Sequence, residues 1–407
     1  MRKVSLFLLI FWLALVGVSY GAGFALYEWS ARGNALGGTL VGRADDASAV
    51  AFNPAGMTQL EGTHFMAGVT AIAPDIKVEA KGYGTTNENN NIFFPPHFYL
   101  THQINDRYWI GVGEYTRFGL ATDFPSDWAG RYNSYYASIV SYSIVPSVAV
   151  KLTDKLSFAV GLEAMYFEFQ QKKYTYPQGP IGSTDAHLKG DSVNYGFNLG
   201  LHYKPVEWLR LGFTYKSQVE QQLRGRIDFT DNTYYNDRDA TGSITLPDSF
   251  TLGIAVYPTE KLSVEADVVY TRWSTYDALT IKYDGSISKV NPLATQSSSK
   301  KDWKDVWRFQ FGVEYSLNEM VDLRASYIYD QSPIPDEHVD YILPANNRHI
   351  LGVGTGFKLD KWTIDLSYNY LMYEDRDVDG RASDYVYDGK FKDGNAHLVG
   401  VSVGYSF

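Results

Sequence analysis

Segment after segment of this chain alternates apolar and polar residues, and that period of two restricts its fold more than any other property. The clearest run is 306–317. Trp307, Phe309, Phe311, Val313, Tyr315 and Leu317 hold one parity; Arg308, Gln310, Gly312, Glu314 and Ser316 hold the other. Successive side chains of a strand point to opposite faces, so the first set meets an apolar phase and the second a wet one. In a soluble sandwich the apolar faces would share one core. Here about fourteen such faces, aromatic at both ends, are too many to cover one another. A closed antiparallel β-barrel in a bilayer gives them lipid outside and leaves the polar faces to the lumen. The aromatic finish, Tyr405-Ser406-Phe407, suits the closing strand of such a barrel.

Residues 1–21 read as a secretory signal. Arg2 and Lys3 precede an apolar run over 4–18, and the small residues Ser19 and Gly21 come before a cleavage at Ala22. No other run approaches the ~18 continuous apolar residues of a spanning helix. Cysteine is absent, so an exported chain of this kind has no disulfide staples and depends on strand pairing. The 32 Tyr and 9 Trp suit aromatic girdles at two membrane interfaces, and β-propensity adds to the same enrichment. The net charge is −10, and loss of Arg2 and Lys3 lowers it by two more. With no basic patch, no nucleic-acid partner is expected. The acidic run Glu374-Asp375-Arg376-Asp377-Val378-Asp379 reads as a solvated loop.

Residues 22–62 do not alternate. They are rich in Gly, Ala and Asn and carry short helical signals. Asp45 or Asp46 can cap a turn through 47–50, and Asn53-Pro54 is a favoured cap followed by a favoured first position. About forty residues of this kind are too few and too polar for a domain of their own, so a hatch plugging the lumen is expected. The barrel proper is 63–407, with strand cores near 64–79, 97–104, 108–121, 136–152, 156–173, 189–204, 208–228, 244–257, 261–282, 303–317, 321–330, 347–359, 361–374 and 396–407. That makes fourteen strands, an even number, as bacterial barrels require. Connections alternate short, such as Asn105-Asp106-Arg107 or Asp360, and long, such as 283–302 or 331–346. Short turns belong in the periplasm and long loops outside.

Two places break the pattern. In the third strand Tyr108, Ile110 and Val112 face lipid, and the next residue of that parity is Glu114. A carboxylate facing the bilayer is costly. Either a bulge or kink near Gly111, Gly113 or Gly119 re-aims it, or the span is short and Glu114 already sits at the outer interface. The second break lies on the inner faces. The fifth strand presents Ser157, Ala159, Gly161, Glu163, Met165, Phe167, Phe169, Gln171 and Lys173, polar near the periplasm, then apolar, then cationic. The ninth runs from Glu265 and Asp267 to Val269 and Trp273, and the thirteenth from Asp365 and Asn369 to Leu371 and Tyr373. An apolar ligand gives a reason for such a lining, and a water-filled porin does not. Loops folding in onto an apolar bed, or a register one residue out, would produce the same pattern. The ligand-binding candidates are therefore Met165, Phe167, Phe169, Lys173, Val269, Trp273 and Leu371.

Catalytic chemistry is not visible. Gly352-Val353-Gly354-Thr355-Gly356 lies within a strand and opens no helix, so it is not a phosphate loop. The eight histidines show no metal spacing, Asp336-Glu337-His338 reads as a solvated turn, and no Ser/His/Asp set is evident. No cofactor, metal or catalytic residue is expected.

The stretch Gly23-Phe24-Ala25-Leu26-Tyr27-Glu28-Trp29-Ser30-Ala31-Arg32-Gly33, followed by Asp45-Asp46-Ala47 and Asn53-Pro54-Ala55, resembles the long-chain fatty-acid transporter (FadL/TodX) family of outer-membrane proteins. So do Phe118-Gly119-Leu120-Ala121-Thr122-Asp123-Phe124, Leu246-Pro247-Asp248, Trp273-Ser274 and Tyr329-Asp330-Gln331-Ser332-Pro333-Ile334-Pro335. The resemblance covers essentially the whole chain after the signal. It implies a fourteen-stranded barrel with an N-terminal hatch containing Asn53, Pro54 and Ala55. It also implies a kinked third strand that opens a lateral gate toward the membrane, at Glu114, Phe118 and Gly119. Lys173 looks like a family cation near a ligand carboxylate, with Lys300 or Lys301 as the second. The loop 174–188 is short for the family, so part of an outer capture groove is expected to be reduced.

The expected function is passive uptake of hydrophobic molecules across the outer membrane, long-chain fatty acids first and aromatic hydrocarbons as the alternative. The expected surroundings are outer-membrane lipid and lipopolysaccharide, with Phe407 as the handle for the barrel-assembly machinery. A general diffusion porin would need a wet lumen and no plug. A surface adhesin or barrel enzyme would need long sticky loops or a buried triad.

Overall fold

The computed structural model describes residues 23–177 and 181–407, so the expected signal lies outside the described residues. Fourteen antiparallel strands close into one barrel. They are β1 (Thr63–Ala80), β2 (Pro96–Gln103), β3 (Tyr108–Tyr115 and Gly119–Asp123), β4 (Tyr136–Lys151), β5 (Leu156–Tyr174), β6 (Asp185–Val206) and β7 (Leu209–Lys216 and Val219–Phe229). The other half is β8 (Arg238–Leu246 and Ser249–Val256), β9 (Leu262–Thr271 and Ala278–Tyr283), β10 (Gln296–Lys300 and Val306–Ser316), β11 (Val321–Asp330), β12 (Arg348–Leu359), β13 (Trp362–Tyr373) and β14 (Gly389–Ser406). β14 returns to β1, with Ser406 opposite His64 and Gly389 opposite Ala80. Closure pairs the strands on both sides, which satisfies the backbone in a phase with no water, except along the upper half of β3.

The expected register holds. In β10, Trp307, Phe309, Phe311 and Tyr315 are exposed on the outside, while Gln310 is buried inside. In β5 every second residue from Ser157 to Gln171 is buried. Strand positions agree closely with the sequence reading, but four strands that read as continuous are broken, β3 and β7 to β9, and β10 gains an upper piece, Gln296–Lys300, from a stretch that read as loop. One break moves a candidate. Trp273 does not continue the inner row of β9 but lies in a 3-10 turn, Trp273–Thr275, after the strand has ended at Thr271.

The kink in β3 falls at 116–118, after Glu114 rather than before it. Glu114 therefore stays in the outward row, opposite Ile144 of β4 and Phe98 of β2, whose side chains are exposed. The expectation that the kink re-aims this carboxylate is wrong. Instead the kink turns Arg117 and Phe118 inward, where both are buried, and Arg117 pairs with Glu163.

Residues 23–60 fill the lumen. A short helix, α1 (Ala31–Ala35), is capped by Ser30, whose hydroxyl accepts from Gly33 N at 3.0 Å. Asp46 Oδ1 accepts from Ser48 N at 2.8 Å just before α2 (Ala49–Phe52). Asn53 Oδ1 accepts from Ala55 N and opens a 3-10 turn, Pro54–Gln59. These residues bond to inward side chains all round the barrel. Asn369 Nδ2 donates to Asn34 O (2.8 Å), Gln310 Nε2 to Gly37 O (2.7 Å), Asn53 Nδ2 to Leu201 O (2.9 Å), and Thr58 pairs with Ser157 (2.7 Å). The polar inner faces read from the sequence thus find partners in the N-terminal segment.

The strongest tie is Glu265. Its carboxylate accepts from Gly42 N (2.5 Å), Arg43 N (3.0 Å) and Arg43 Nη1 (3.2 Å), and both Arg43 and Glu265 side chains are fully buried. Glu265→Ala strands a buried guanidinium and two amides, a loss of about 3–5 kcal/mol. Hydrogen exchange of amides 37–45 is expected to speed up several hundredfold in this variant while the barrel amides hold; unchanged exchange would show that Glu265 does not anchor the segment.

Candidate functional site

Above the lumen segment the barrel mouth is apolar. Phe167 and Phe169 of β5, Leu223 of β7, Ile244 of β8, Tyr276 and Trp303 surround a chamber whose floor is Phe24. The rings interlock: Phe24 lies 4.7 Å from Trp273 at 69°, and Trp303 lies 4.9 Å from Tyr276 at 74°. The loop 331–347 folds down over this chamber rather than standing out from it. Ile334, Ile342 and Leu343 line it, and Tyr341 is buried against Trp128 of the loop after β3, 4.7 Å between rings. The apolar bed is therefore partly a seat for loops, one of the two alternatives in the sequence reading. The other, a slipped register, is wrong.

The chamber has a polar end. Lys301 Nζ lies 2.5 Å from Asp340 Oδ2, both side chains nearly inaccessible, and His338 lies beside them. Of the two lysines left open by the sequence, Lys300 is exposed and pairs with Asp302, and only Lys301 reaches the chamber. Lys173 stands at the top of the same wall. It makes no ion pair among the described residues, and the charges acting on it are Asp384 and Lys301. The free volume is about 20 Å³. That is room for little more than one water, so a long ligand must displace side chains, and Phe24 is the most central of them.

A second cavity of about 330 Å³ runs from this region through the barrel wall. Inward residues Ile139 and Ser141 line it together with outward residues Tyr136, Val140 and Tyr142 of the same strand, which is possible only where the wall is open. The opening follows from the kink. β2 and β3 stay paired up to His97 opposite Tyr115 and then part, while the upper half of β3 pairs with β4 alone. The lumen segment covers this window from inside. Leu26 N donates to Arg117 O (2.8 Å) and Gly119 N to Phe24 O (2.9 Å), with Ala25 bridging Phe118. The same residue, Phe24, thus floors the chamber and seals the window.

At the opposite, short-turn end lies a polar cavity of about 270 Å³ around Arg32, Glu314, Arg324 and Asp365. Arg32 bridges Asp45 (2.7 Å), Asp46 (2.9 Å) and Glu314 (2.9 Å). Burial alone would raise the Asp45 carboxyl, but Arg32 and Arg210 outweigh it and hold it at about 2. Asp45 therefore stays ionised at any physiological pH.

The structure brings Met165, Phe167, Phe169 and Trp273 into one apolar cluster with Phe24 and Phe118. Val269 is buried but stands outside that cluster, and Leu371 belongs to a separate group around Tyr27 that borders the wall cavity. Gly119 lines the window, Phe118 packs inward, and Glu114 sits one pair below the point where β2 and β3 part. Sequence reasoning missed Phe24, Trp303 and the loop residues Ile334 and Asp340. Aromatic and aliphatic residues in segments without periodicity give no signal of which way they face.

Comparison with known proteins agrees with this arrangement. The model of the outer membrane protein transport protein (OMPP1/FadL/TodX) family matches residues 13–407. The long-chain fatty acid transport protein of Escherichia coli O6:H1 is 25% identical over 436 residues, spanning 96% of this chain and 95% of that protein. Outer membrane protein P1 of Haemophilus influenzae is 26% identical over 419 residues, with 88% of each chain covered. The crystal structure of a Pseudomonas aeruginosa FadL homologue matches with a TM-score of 0.84 at 19% identity, over 95% of this chain and 100% of that one. The Pseudomonas putida toluene transporter TodX matches with a TM-score of 0.73 at 19% identity, over 94% and 99%.

Proposed function

The chain belongs to the outer membrane protein transport protein (OMPP1/FadL/TodX) family, and from that premise we propose that it captures long-chain fatty acids in the apolar chamber and releases them sideways through the window in β3. It is an outer-membrane β-barrel transporter of hydrophobic molecules, in a family of channels rather than enzymes. The observation that carries the finer reading is the double role of Phe24. A chain entering the chamber displaces Phe24, and Phe24 O is one of the acceptors that ties the N-terminal segment across the window. Occupancy and opening are then one event, and the ligand supplies the differential affinity that shifts the segment. Residues 22–62 act as a hatch in this reading, and lateral exit delivers the ligand to the bilayer without a water column. Lipopolysaccharide and outer-membrane lipid are the surroundings it works in, and Phe407 is its handle for barrel assembly.

The acid reading rests on the polar end of the chamber. Lys301 and His338 border it, and Lys173 stands at its rim with no ion pair among the described residues. A hydrocarbon has no use for them. A charge-assisted hydrogen bond contributes roughly 1.5–3 kcal/mol, so Lys301→Met and Lys173→Ala are each expected to weaken oleate binding about tenfold or more. Binding of an uncharged alkene of equal length is expected to change by less than twofold. Isothermal titration of purified protein in detergent decides it: equal losses for both ligands remove the carboxylate role and favour a hydrocarbon channel. The toluene transporters among the structural neighbours make that the second reading.

A further inference from the structure

The window has a lower and an inner boundary, and the structure gives it an outer one as well. Beyond the point where β2 and β3 part, the linker from β1 to β2 crosses to the far tip of β3 and is held there by one residue. Asp123 O accepts from Asn89 N (2.7 Å), Asp123 Oδ1 from Asn89 Nδ2 (3.0 Å), and Asp123 Oδ2 from Asn91 Nδ2 (2.9 Å). In return Asp123 N donates to Glu88 Oε1 at 3.2 Å, and Glu88 N is fixed to Ile76 O of β1 at 2.9 Å. Phe93, Phe94 and Pro95, a few residues along the same linker, form one wall of the cavity, and Thr122 forms the other.

We propose that Asp123, Asn89 and Asn91 form a latch that fixes the outer frame of the window and so limits the cross-section of the molecule that can leave through it. This rests on the lateral-release reading. Asp123 is then a specificity-determining residue that need not touch the ligand. A slender alkyl chain passes within the frame as it stands; a ligand with a fused-ring end needs the linker to swing away.

Glu88 supports the latch chemically. Burial pushes its carboxyl up to about 8, with Asp123 and Asp75 of β1 adding to the rise. Tyr373 of β13 is the other titratable group that feels it. Neutral at pH 7, it can sit against Asp123 without setting two carboxylates side by side. The sign follows: a raised value favours the latched form below about 4.5, and that preference is lost as pH rises through about 8.

The chain has no cysteine, which permits a test in both directions. Asp123→Ala opens the latch. Asn89→Cys with Asp123→Cys, adjacent through a backbone hydrogen bond, locks it, and a reductant releases it. Uptake by cells of oleate and of a pyrene-terminated fatty acid is measured in parallel, with Ala121→Trp as a blocked window. Asp123→Ala is expected to raise the pyrene-to-oleate uptake ratio about fivefold, the scale of losing two hydrogen bonds. The oxidised pair is expected to lower the ratio by a similar factor and to recover on reduction. An unchanged ratio in both variants, with uptake still abolished by Ala121→Trp, overturns the latch and leaves lateral release standing. If Ala121→Trp abolishes nothing, lateral release itself fails and the latch with it.

Discussion

A barrel lacking residues 22–62 is expected to conduct ions through its lumen at least about tenfold better than the intact protein, because barrels of this size without a plug enclose an aqueous channel. The inner faces explain why such a variant can still fold. The groups left behind, among them Glu265, Glu314, Arg324 and Asn369, are polar, and water entering the vacated lumen can solvate them. The strand ladder, from β1 round to β14 and back, does not pass through the deleted residues. Lys216, whose Nζ donates to Ala51 O at 2.5 Å and lies over Trp29, would lose these two partners, keep Tyr115 Oη at 3.2 Å and gain water. Single-channel recording on protein whose heat-modifiable gel mobility is normal provides the check. Conductance as low as in the intact chain would mean that the upper loops, and not this segment, close the barrel.

The barrel was readable because its determinant is local. Alternation is printed along each strand, and lipid punishes a slip of one residue on every side chain at once, so β5 and β10 needed no tertiary knowledge. The breaks were not readable. Arg272–Asp277 interrupts β9 where Arg272 meets Asp248 at 2.5 Å and Trp273 turns in against Phe24, and both partners come from elsewhere in the chain. Glu114 shows the same limit from the other side. The sequence marked it as anomalous, but whether the backbone bends before or after it depends on the Phe24–Leu26 segment pairing with Arg117 and Gly119, about ninety residues apart. For the chamber, period two found the strand-borne wall. The floor and roof come from Phe24 and from 331–347, stretches whose facing is set only by what they pack on.

Blocking the window is expected to separate binding from transport. Gly119 has no side chain where the N-terminal segment crosses β3, and a Cβ there would lie 2.7 Å from Leu26 Cδ1. Leu26 can swing aside, but an indole at this position must then occupy the window itself. Gly119→Trp is therefore expected to cut oleate uptake by cells at least about tenfold, since the indole fills the gap left where β2 and β3 part. Leu26 is two residues from Phe24, so pressure on it can reach the chamber. Ala121→Trp, on the cavity wall and opposite Ser138 of β4, is the companion that controls for this. Binding to purified protein is expected to stay within about twofold for Ala121→Trp, which lines the wall cavity and not the chamber. Correct folding is verified first by gel mobility. If a folded Ala121→Trp protein takes up oleate normally, the route lies instead past Arg32 and Glu314 to the periplasmic end. In that case Glu265→Ala, which loosens the N-terminal segment without touching the window, would raise uptake where the window variants leave it unchanged.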